Sequence, residues 1–567
     1  MTDAGAEPPS KAQRIPILGW AGRYDRSWLG ADLIAGFTVW GLLVPEMIAY
    51  ASLAGLPPQA GLYTLLASLG LYAVFGTSRH LVVAGTSASA VLLFATVSGL
   101  KPATSEEFAS LAAGLVLLVG VVFVVAGLLR LGFLADFLSR PVMTGFVFGL
   151  AVFVAIRQMP KVLGIEGGHG NSVEQLLHAL GHLGDTNLPT LFVATGAMAV
   201  LVGLGRWAPR IPGGLVVLAV GIAASSAFDL SERGVAIVGR IPGGLPTVGV
   251  PGVALHDLWV LVPSAAGIML VIYSESLGAA SAFADRYRYR LDPDQELIAL
   301  GASNLGSGLL GGLAAGGSLS QSAVNDGAGA RSEVSPIFAA ALSLVTVIAL
   351  TGLFEQLPEA VLGALIIHAV THLMKVGEMR ALARLSPSEF VLAMLTLTAV
   401  LVFDVLPALI LGVVISILLV LARASRPTVS RLGLGPSGSY VAVDRHPGSI
   451  ERPGILIVRP NAPLFYANAQ AVRDAVLAMA VGSGDAVTTV VLDLQASDRL
   501  DLTSAEHLAK LDDALAAAEI TLCLCEVHAP ARAMADAVGL TQSVRPEQIF
   551  PDIQTAVTWA QGRADPA

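Results

Sequence analysis

The sequence predicts a polytopic α-helical membrane protein with a small soluble α/β domain at its C-terminal end. Three observations lead to this fold class. The mean hydropathy is +0.72, and only 13% of the 567 residues are charged, which is about half the charged share of a typical globular chain. Long apolar stretches fill the chain from Leu33 to Leu421, and short apolar runs that alternate with helical patterns follow them.

Composition also excludes several classes of protein. The two cysteines, Cys523 and Cys525, are too few for a disulfide-stabilised secreted domain. The basic residues are few and dispersed and the net charge is −9, so no nucleic-acid partner is expected. The sequence has no phosphate-binding loop, nucleophile elbow or zinc-binding helix motif, and it therefore predicts neither an enzyme nor an ATP-driven pump.

Fourteen apolar stretches make up the predicted membrane domain, and several reach the roughly 20 residues that cross a bilayer. If the N-terminus is cytoplasmic, the loops on that side carry twelve Lys and Arg residues and the opposite loops carry five. Because basic loops are retained in the cytoplasm, this bias predicts fourteen spans with both termini inside. The stretches centre near residues 43, 69, 90, 120, 150, 197, 221, 270, 305, 324, 345, 365, 395 and 415.

The pattern divides the chain into four segments. These are a polar cytoplasmic segment at 1–27 without a cleavable signal, a transmembrane domain at 28–425, a linker at 426–439 and a soluble domain at 440–562. Cys523 and Cys525 fall on one face of a predicted strand and are expected in the core of the soluble domain. The predicted strands are Gly454–Val458, Thr488–Leu494 and Ile520–Val527, with helices near 468–480, 503–516 and 529–538.

Two glutamates interrupt predicted spans: Glu46 in the first and Glu275 in the eighth. An ionised carboxylate facing lipid is costly, so each side chain is expected to face protein or a water-filled cavity. Burial disfavours the charged form, which makes both residues candidate proton carriers. The alternative is a structural carboxyl that is hydrogen-bonded to a neighbouring helix.

Two segments of small residues, Ala84–Ser89 and Gly316–Ser322, follow these glutamates at similar distances along the chain. Seven spans separate the equivalent features, and because seven is odd, the two halves run in opposite directions, as in an inverted repeat. Each segment is predicted to start a half-helix near the bilayer midplane. The free N–H groups and positive dipole ends of two such helices would favour an anion between them. Alternatively, the small residues serve close helix packing alone.

Other polar residues carry weaker hypotheses. His368 and His372 have a metal-binding spacing on the twelfth span, but no third ligand is evident and no metal site is predicted. Asp326 and Arg331 could pair with each other, and Asp404 is expected to have a structural role in an outer turn.

Ordered motifs occur along nearly the whole chain, at Asp32–Thr38, Val44–Ala51, Leu53–Pro58, Phe75–His80, Ser320–Asn325, Arg459–Asn468, Val491–Asp493 and Asp501–Ser504. Those of the membrane part resemble the sulfate permease (SulP) family of anion transporters. Those of the soluble part resemble the family's STAS domain, which is related to bacterial anti-sigma-factor antagonists. The resemblance implies two inverted repeats of seven spans, a uracil-permease-like core domain that moves against a gate domain, and a homodimer.

The resemblance also implies that the substrate lies between the half-helices of spans 3 and 10. Two positions depart from the family pattern: Glu46 stands where the family usually has Gln, and Gln321 stands where many members have Arg or Lys. The departures disfavour a dianion unless the carboxyls are protonated, so they favour proton coupling or a monovalent or weakly acidic substrate. The residues expected to bind substrate are Glu46, Tyr50, Thr86, Ser87, Ser318, Ser320 and Gln321, and those expected to couple the ion are Glu275 and Glu46.

The predicted function is secondary active transport of an inorganic or small organic anion, with sulfate as the default, across the plasma membrane by alternating access. Protons are the expected coupling ion, sodium is the alternative, and no other cofactor is expected. The competing hypotheses are sodium-coupled bicarbonate or dicarboxylate transport, anion exchange, nucleobase transport, a passive channel and a regulatory membrane scaffold.

Thr503 aligns with the hydroxyl that is phosphorylated in the soluble antagonists, which implies regulation at a predicted helix N-terminus. The alternative is that Thr503 caps this helix. The STAS domain is otherwise expected to pack against its surroundings or to bind a cytoplasmic protein partner.

Overall fold

A helix occupies each of the fourteen positions where the sequence predicts a span. The computed structural model describes residues 16–133, 139–168, 171–208, 213–239, 243–403, 405–482 and 487–564, so Asp404 and most of the predicted N-terminal segment lie outside the described residues. Numbered by predicted span, the helices are α1 Leu29–Leu53, α2 Pro58–Phe75, α3 Ser87–Gly99, α4 Ser105–Leu128, α5 Arg140–Leu163, α6 Leu188–Trp207, α7 Gly213–Phe228, α8 Leu255–Tyr287, α9 Pro293–Leu309, α10 Leu319–Gly327, α11 Val334–Val345, α12 Glu359–Leu373, α13 Pro387–Phe403 and α14 Val405–Ala424.

The lengths of the helices differ widely. Among the described residues, seven helical segments are long and apolar enough to cross a bilayer, and shorter apolar helices accompany them. The exact number of crossings stays a prediction. Short helices outside the predicted spans are Ile17–Trp20, Ser172–Gly181 and Val376–Leu385, and 3-10 or π turns lie at Ala21–Arg23, Arg26–Trp28, Leu183–Asp185, Leu230–Arg233, Thr346–Leu350 and Thr351–Phe354.

Packing divides the membrane helices into two sets. Helix α9 packs against α2 and α4, α11 packs against α1 and α2, and α8 packs against α4. Helix α5 packs against α12 and α13, and α6 packs against α7 and α12. We call the first set, together with α3 and α10, which pack against α1, the core, and we call the second set the gate. Each set takes helices from both halves of the chain, as the predicted inverted repeat requires.

Two short strands join the halves at the centre of the core. Strand β1, Val83–Gly85, leads into α3, and strand β2, Ala315–Gly317, leads into α10. The strands pair antiparallel, with Ala84 opposite Gly316. Antiparallel pairing of equivalent segments is the arrangement that oppositely directed repeats produce. The prediction that a short helix starts at each segment is confirmed, and the strand pair connects the two starts; their position at the bilayer midplane stays a prediction.

Helix α1 is shaped by residues on both sides of Glu46. Pro45 lies inside α1, and because proline lacks an N–H, the helix loses one internal hydrogen bond just before the glutamate. A side-chain carbon at Gly61 of α2 would lie 2.0 Å from the Met47 carbonyl oxygen. Only glycine permits this close approach, which holds α2 against the part of α1 that carries Glu46.

Buried carboxylates fix the ends of the core helices. Asp32 of α1 is fully buried and accepts a hydrogen bond of 2.7 Å from the Arg331 backbone N–H. Glu296 of α9 accepts hydrogen bonds of 2.8 Å from the Tyr72 hydroxyl and from the Thr77 backbone N–H. Since buried charged groups need such donors, these networks tie the loops of one half of the chain to helices of the other.

The suggested pairing of Asp326 with Arg331 is not the arrangement in the structure. Asp326 instead forms an ion pair of 2.7 Å with Arg286, which extends from the end of α8, and it also accepts a hydrogen bond from the Tyr287 hydroxyl. The backbone N–H of Arg331 donates its hydrogen bond to Asp32.

The chain divides into two compact units, Met1–Ser416 and Ile417–Ala567. The second unit contains a six-stranded sheet with strand order β4-β3-β5-β6-β7-β8, in which β5 to β8 are parallel and β3 is antiparallel to β4 and β5. Its elements are β3 Val429–Leu434, β4 Tyr440–Ala442, β5 Ile455–Pro460, α15 Ala469–Gly482, β6 Thr489–Asp493, α16 Leu502–Ala517, β7 Thr521–Cys525, α17 Ala529–Ala537, α18 Leu540–Ser543, β8 Ile549–Phe550 and α19 Ile553–Ala564, with 3-10 turns at Val443–Arg445 and Pro546–Gln548.

The three predicted strands and the helices after them are confirmed, but part of the predicted linker is not irregular. Strand β3 lies within residues 426–439 because Leu432 pairs with Ile457 and is buried in the core of the sheet. Cys523 and Cys525 are fully buried, as expected. Burial raises the pKa of the Cys523 thiol to about 12, so this cysteine is a packing residue rather than a reactive one.

Candidate functional site

A cavity of about 1000 Å³ lies between the core and the gate. Core helices α1, α3, α8 and α10 line one side of it, and gate helices α5, α6, α7 and α12 line the other. The structure brings all the predicted membrane-site residues to this one cavity: Glu46, Tyr50, Thr86, Ser87, Glu275, Ser318, Ser320 and Gln321.

Helix α1 presents one continuous face to the cavity. Thr38, Leu42, Glu46 and Tyr50 all line it, and residues four positions apart fall on the same face of a helix. The sequence reasoning missed Thr38 and Leu42. Counting back from Glu46 in steps of four would have found them.

Some of the backbone N–H groups at the N-terminus of α3 are hydrogen-bonded by side chains of the same segment. The Thr86 hydroxyl accepts a hydrogen bond of 3.1 Å from the Ser89 backbone N–H, and the Ser89 hydroxyl accepts one of 3.0 Å from the Thr86 N–H. This capping box uses the Thr86 hydroxyl that was expected to contact substrate. Ser87 and Ala88, which follow the cap, both line the cavity and provide the remaining N–H groups.

The N-terminus of α10 is more open than that of α3. Ser318 occupies the N-cap position, but its side chain makes no capping bond. Its hydroxyl instead lies 3.0 Å from the Ser320 hydroxyl. The first N–H groups of α10 therefore have no side-chain cap, and the positive end of the helix dipole is available to an anion in the cavity.

Glu46 and Gln321, the two positions at which the family resemblance leads us to expect other residue types, contact each other. The Gln321 amide donates a hydrogen bond of 2.9 Å to the Glu46 carboxylate and lies 3.4 Å from the Gly85 carbonyl oxygen. Only 2% of Gln321 is exposed, so this donor group is engaged within the core. The structure therefore places Gln321 as a partner of Glu46 at the edge of the cavity.

Glu275 faces the same cavity from α8. Within the described part of the chain, its carboxylate accepts no hydrogen bond, and the Lys375 ammonium lies within electrostatic range of it. The neighbouring Ser276 hydroxyl accepts a hydrogen bond of 2.7 Å from the Gly317 N–H. This bond fixes β2, and hence the start of α10, next to the glutamate; the sequence reasoning did not identify Ser276.

A charged cluster lines the end of the cavity where α5 begins. Arg140 lies 3.6 Å and Lys375 lies 3.5 Å from the Glu378 carboxylate, and the Thr144 hydroxyl donates a hydrogen bond of 3.3 Å to the same group. The sequence reasoning counted Arg140 and Lys375 only as loop charges. His368 also lines the cavity, whereas the side chain of His372 lies outside the described residues.

The opposite end of α5 is tied to the core. Lys161 donates a hydrogen bond of 2.6 Å to the Ser52 hydroxyl at the end of α1 and lies 3.3 Å from Glu359. One turn earlier, the Arg157 guanidinium stacks over the Phe94 ring of α3 at 5.2 Å. The contacts of Lys161 with Ser52 and of Arg157 with Phe94 hold gate and core together at the end remote from Arg140, whereas Glu359 belongs to gate helix α12.

Thr503 is exposed at the second position of α16 in the C-terminal unit. The alternative in which Thr503 caps this helix is wrong, because Asp501 is the N-cap and accepts a hydrogen bond of 2.8 Å from the Ser504 N–H. Burial raises the pKa of Asp501, but the hydrogen bonds from Ser504 and Tyr466 outweigh it and lower the pKa overall. Phosphorylation of the exposed Thr503 side chain stays a prediction.

A core of paired half-helices packed against a separate gate, with a cavity between them that carries carboxyl and hydroxyl side chains, is the architecture of a membrane transporter. The chain belongs to the sulfate permease family: the family model matches residues 29–396, and the STAS domain model matches residues 447–556. Members of this family are transporters, so the predictions of the family, of the helical fold with a STAS domain and of a non-enzymatic function are confirmed.

Curated relatives cover most of the chain. A probable sulfate transporter of Mycobacterium tuberculosis (strain CDC 1551) is 36% identical over 554 residues, which span 96% of this chain and 99% of that protein. Human solute carrier family 26 member 6 is 32% identical over 490 residues, which span 82% of this chain and 64% of that protein.

Solved structures share the fold. Murine solute carrier 26 family member A9, described as an anion transporter in the inward-facing state, is 25% identical and superposes with a TM-score of 0.89 over 99% of this chain and 96% of its own. The transmembrane domain of a cyanobacterium bicarbonate transporter, at 23% identity, gives a TM-score of 0.60 over 70% of this chain and 98% of its own.

Proposed function

We propose that the chain is a proton-coupled secondary active transporter that binds a small anion at the N-terminus of α10, opposite the start of α3. The observation that carries this proposal is the uncapped N-terminus of α10 in the same cavity as two carboxyl side chains, Glu46 and Glu275. The helix end supplies positive potential for the anion. The carboxyls repel an anion when ionised and cease to do so when protonated, which couples anion binding to proton binding.

Transport then follows from movement of the core against the gate. Arg140 and Lys375, at one end of the cavity, are among the basic residues that predict the cytoplasmic side. At the other end, Lys161 and Arg157 join gate and core. This supports an inward-open state. Rupture of those remote contacts, with closure at Arg140, would expose the bound anion to the opposite side.

The remaining features of the proposal follow from the family. We place the transporter in the plasma membrane with both termini in the cytoplasm, as a homodimer whose STAS domain binds a cytoplasmic protein. Sulfate is the default substrate because the mycobacterial relative is named as a probable sulfate transporter. The charge of the site favours monovalent or weakly acidic anions. Bicarbonate and dicarboxylates are the candidate substrates besides sulfate.

Uptake into proteoliposomes of the purified protein tests this proposal. Labelled sulfate, bicarbonate and fumarate would be offered with and without an inward proton gradient at equal ionic strength. We expect one of them to accumulate above its external concentration only when the gradient is present. Stimulation by an inward sodium gradient alone would assign Glu275 to sodium binding, and uptake that only equilibrates under every gradient would indicate a passive channel.

A further inference from the structure

The charged cluster at the start of α5 consists of Arg140, Lys375 and Glu378. Arg140 and Lys375 approach one carboxylate, that of Glu378, from different segments, and all three line the cavity. The side chains of Arg140 and Lys375 are 80% and 58% exposed, whereas that of Glu378 is 31% exposed. The carboxylate therefore sits between two cations that remain open to water.

The geometry indicates that Glu378 is weakly held. Both ion-pair distances exceed 3.4 Å, and exposed pairs of this kind stabilise little because water and salt screen them. The cluster has two positive groups and one negative group, so it stays net positive with Glu378 in place. An incoming oxyanion could take the place of the Glu378 carboxylate without leaving a buried charge unpaired.

Arg140 adds a second source of positive potential. It is the first residue of the 24-residue helix α5, and the N-terminus of a helix attracts anions. Lys375 lies within electrostatic range of Glu275 deeper in the cavity. An anion held between Arg140 and Lys375 is thus already beside a cation that interacts with the inner site.

We propose that Arg140 and Lys375 form an entry site for small oxyanions at the mouth of the cavity, and that Glu378 is a built-in competitor which the substrate displaces. The site accepts carboxylates and inorganic oxyanions, because the Glu378 carboxylate is itself an example of the group that fits. This inference rests on the proposed function only in taking the substrate to be an anion, and it is independent of proton coupling.

Binding to the purified full-length protein in detergent tests the entry site. The probes are sulfate, bicarbonate and fumarate at one pH and constant ionic strength, and the readout is the anion concentration that gives half of the maximal thermal stabilisation. We expect Glu378→Gln to lower this concentration about two- to fivefold, and Arg140→Gln and Lys375→Gln to raise it by a similar factor. Thr144→Val removes a hydrogen bond to Glu378 and is expected to act in the same direction as Glu378→Gln. Higher ionic strength should shrink all these differences.

Arg384→Gln is the matched control. Arg384 is exposed on the helix Val376–Leu385, which also carries Glu378, and it does not line the cavity. Weaker binding in Glu378→Gln would overturn the competitor role, since it would show that the carboxylate orders the two cations. Unchanged binding in both Arg140→Gln and Lys375→Gln would overturn the entry site. No proton gradient is present in this assay, so the measured anion binding does not depend on whether transport is proton-coupled. The melting temperature of each variant without anion shows whether that variant is folded.

Discussion

Replacement of Glu275 by glutamine is expected to abolish proton-driven accumulation of the substrate while leaving anion exchange in place. Glutamine has nearly the shape of a protonated glutamic acid but cannot release a proton, so the site is fixed in its neutral form. A gradient of two pH units can drive about a 100-fold accumulation per coupled proton, and this driving force should be lost entirely. The measurement is labelled-anion uptake into proteoliposomes, followed by exchange against internal unlabelled anion.

The matched control for this variant is Glu106→Gln. Glu106 is exposed in the first turn of α4 and does not line the cavity, so its variant should accumulate substrate as the wild type does. Retention of gradient-driven accumulation in Glu275→Gln would remove this residue from the coupling mechanism. Loss of both accumulation and exchange, in a protein that expresses and assembles normally, would assign Glu275 to substrate binding instead.

A second large effect is expected from the double exchange of Glu46→Gln with Gln321→Arg, which introduces the residue types that the family resemblance leads us to expect at these positions. The double variant should favour sulfate over bicarbonate at least about tenfold more than the wild type does. At an effective dielectric constant of 20, one unit charge at about 4 Å changes the interaction with each unit of substrate charge by about 4 kcal/mol. In the anion-bound state, in which Glu46 is proposed to be protonated, the double exchange adds one positive charge to the site, and a dianion gains more from this charge than a monoanion.

The contact between Glu46 and Gln321 makes the single variants informative. Because the two side chains are 2.9 Å apart, Gln321→Arg alone would place its guanidinium against the Glu46 carboxylate, and the ion pair would cancel most of the gain for sulfate. The single variant is therefore expected to resemble the wild type in its sulfate-to-bicarbonate ratio. Equal ratios for the wild type and the double variant would show that these two residues do not set the charge of the substrate.

Sequence reasoning found the parts of the site that break the rules of membrane sequences. Glu46 and Glu275 stood out because carboxyls are costly inside a bilayer. The starts of α3 and α10 stood out because Gly, Ser and Thr interrupt apolar runs there. These signals are local, and each can be read without knowledge of which helices pack together.

The parts that sequence reasoning missed depend on contacts between distant segments. Strands β1 and β2 contain little besides Ala and Gly, so no β-branched pattern predicts them. Ser276 holds β2 in place across 41 positions, and in sequence it looks like any small residue of a membrane helix. Arg140 and Lys375 were read from the sequence only as indicators of topology, because a basic residue at a helix end predicts sidedness whether or not it also lines a cavity.

Proton flux driven by an anion gradient shows whether the anion and the proton move together through one cavity. Proteoliposomes with a trapped pH indicator would be given sulfate or fumarate outside, with equal pH on both sides and the membrane potential clamped. We expect the lumen to become acidic only when the anion is present, and this acidification should disappear in Glu275→Gln. Entry of the anion without any change in internal pH would mean that the anion crosses the membrane without a proton.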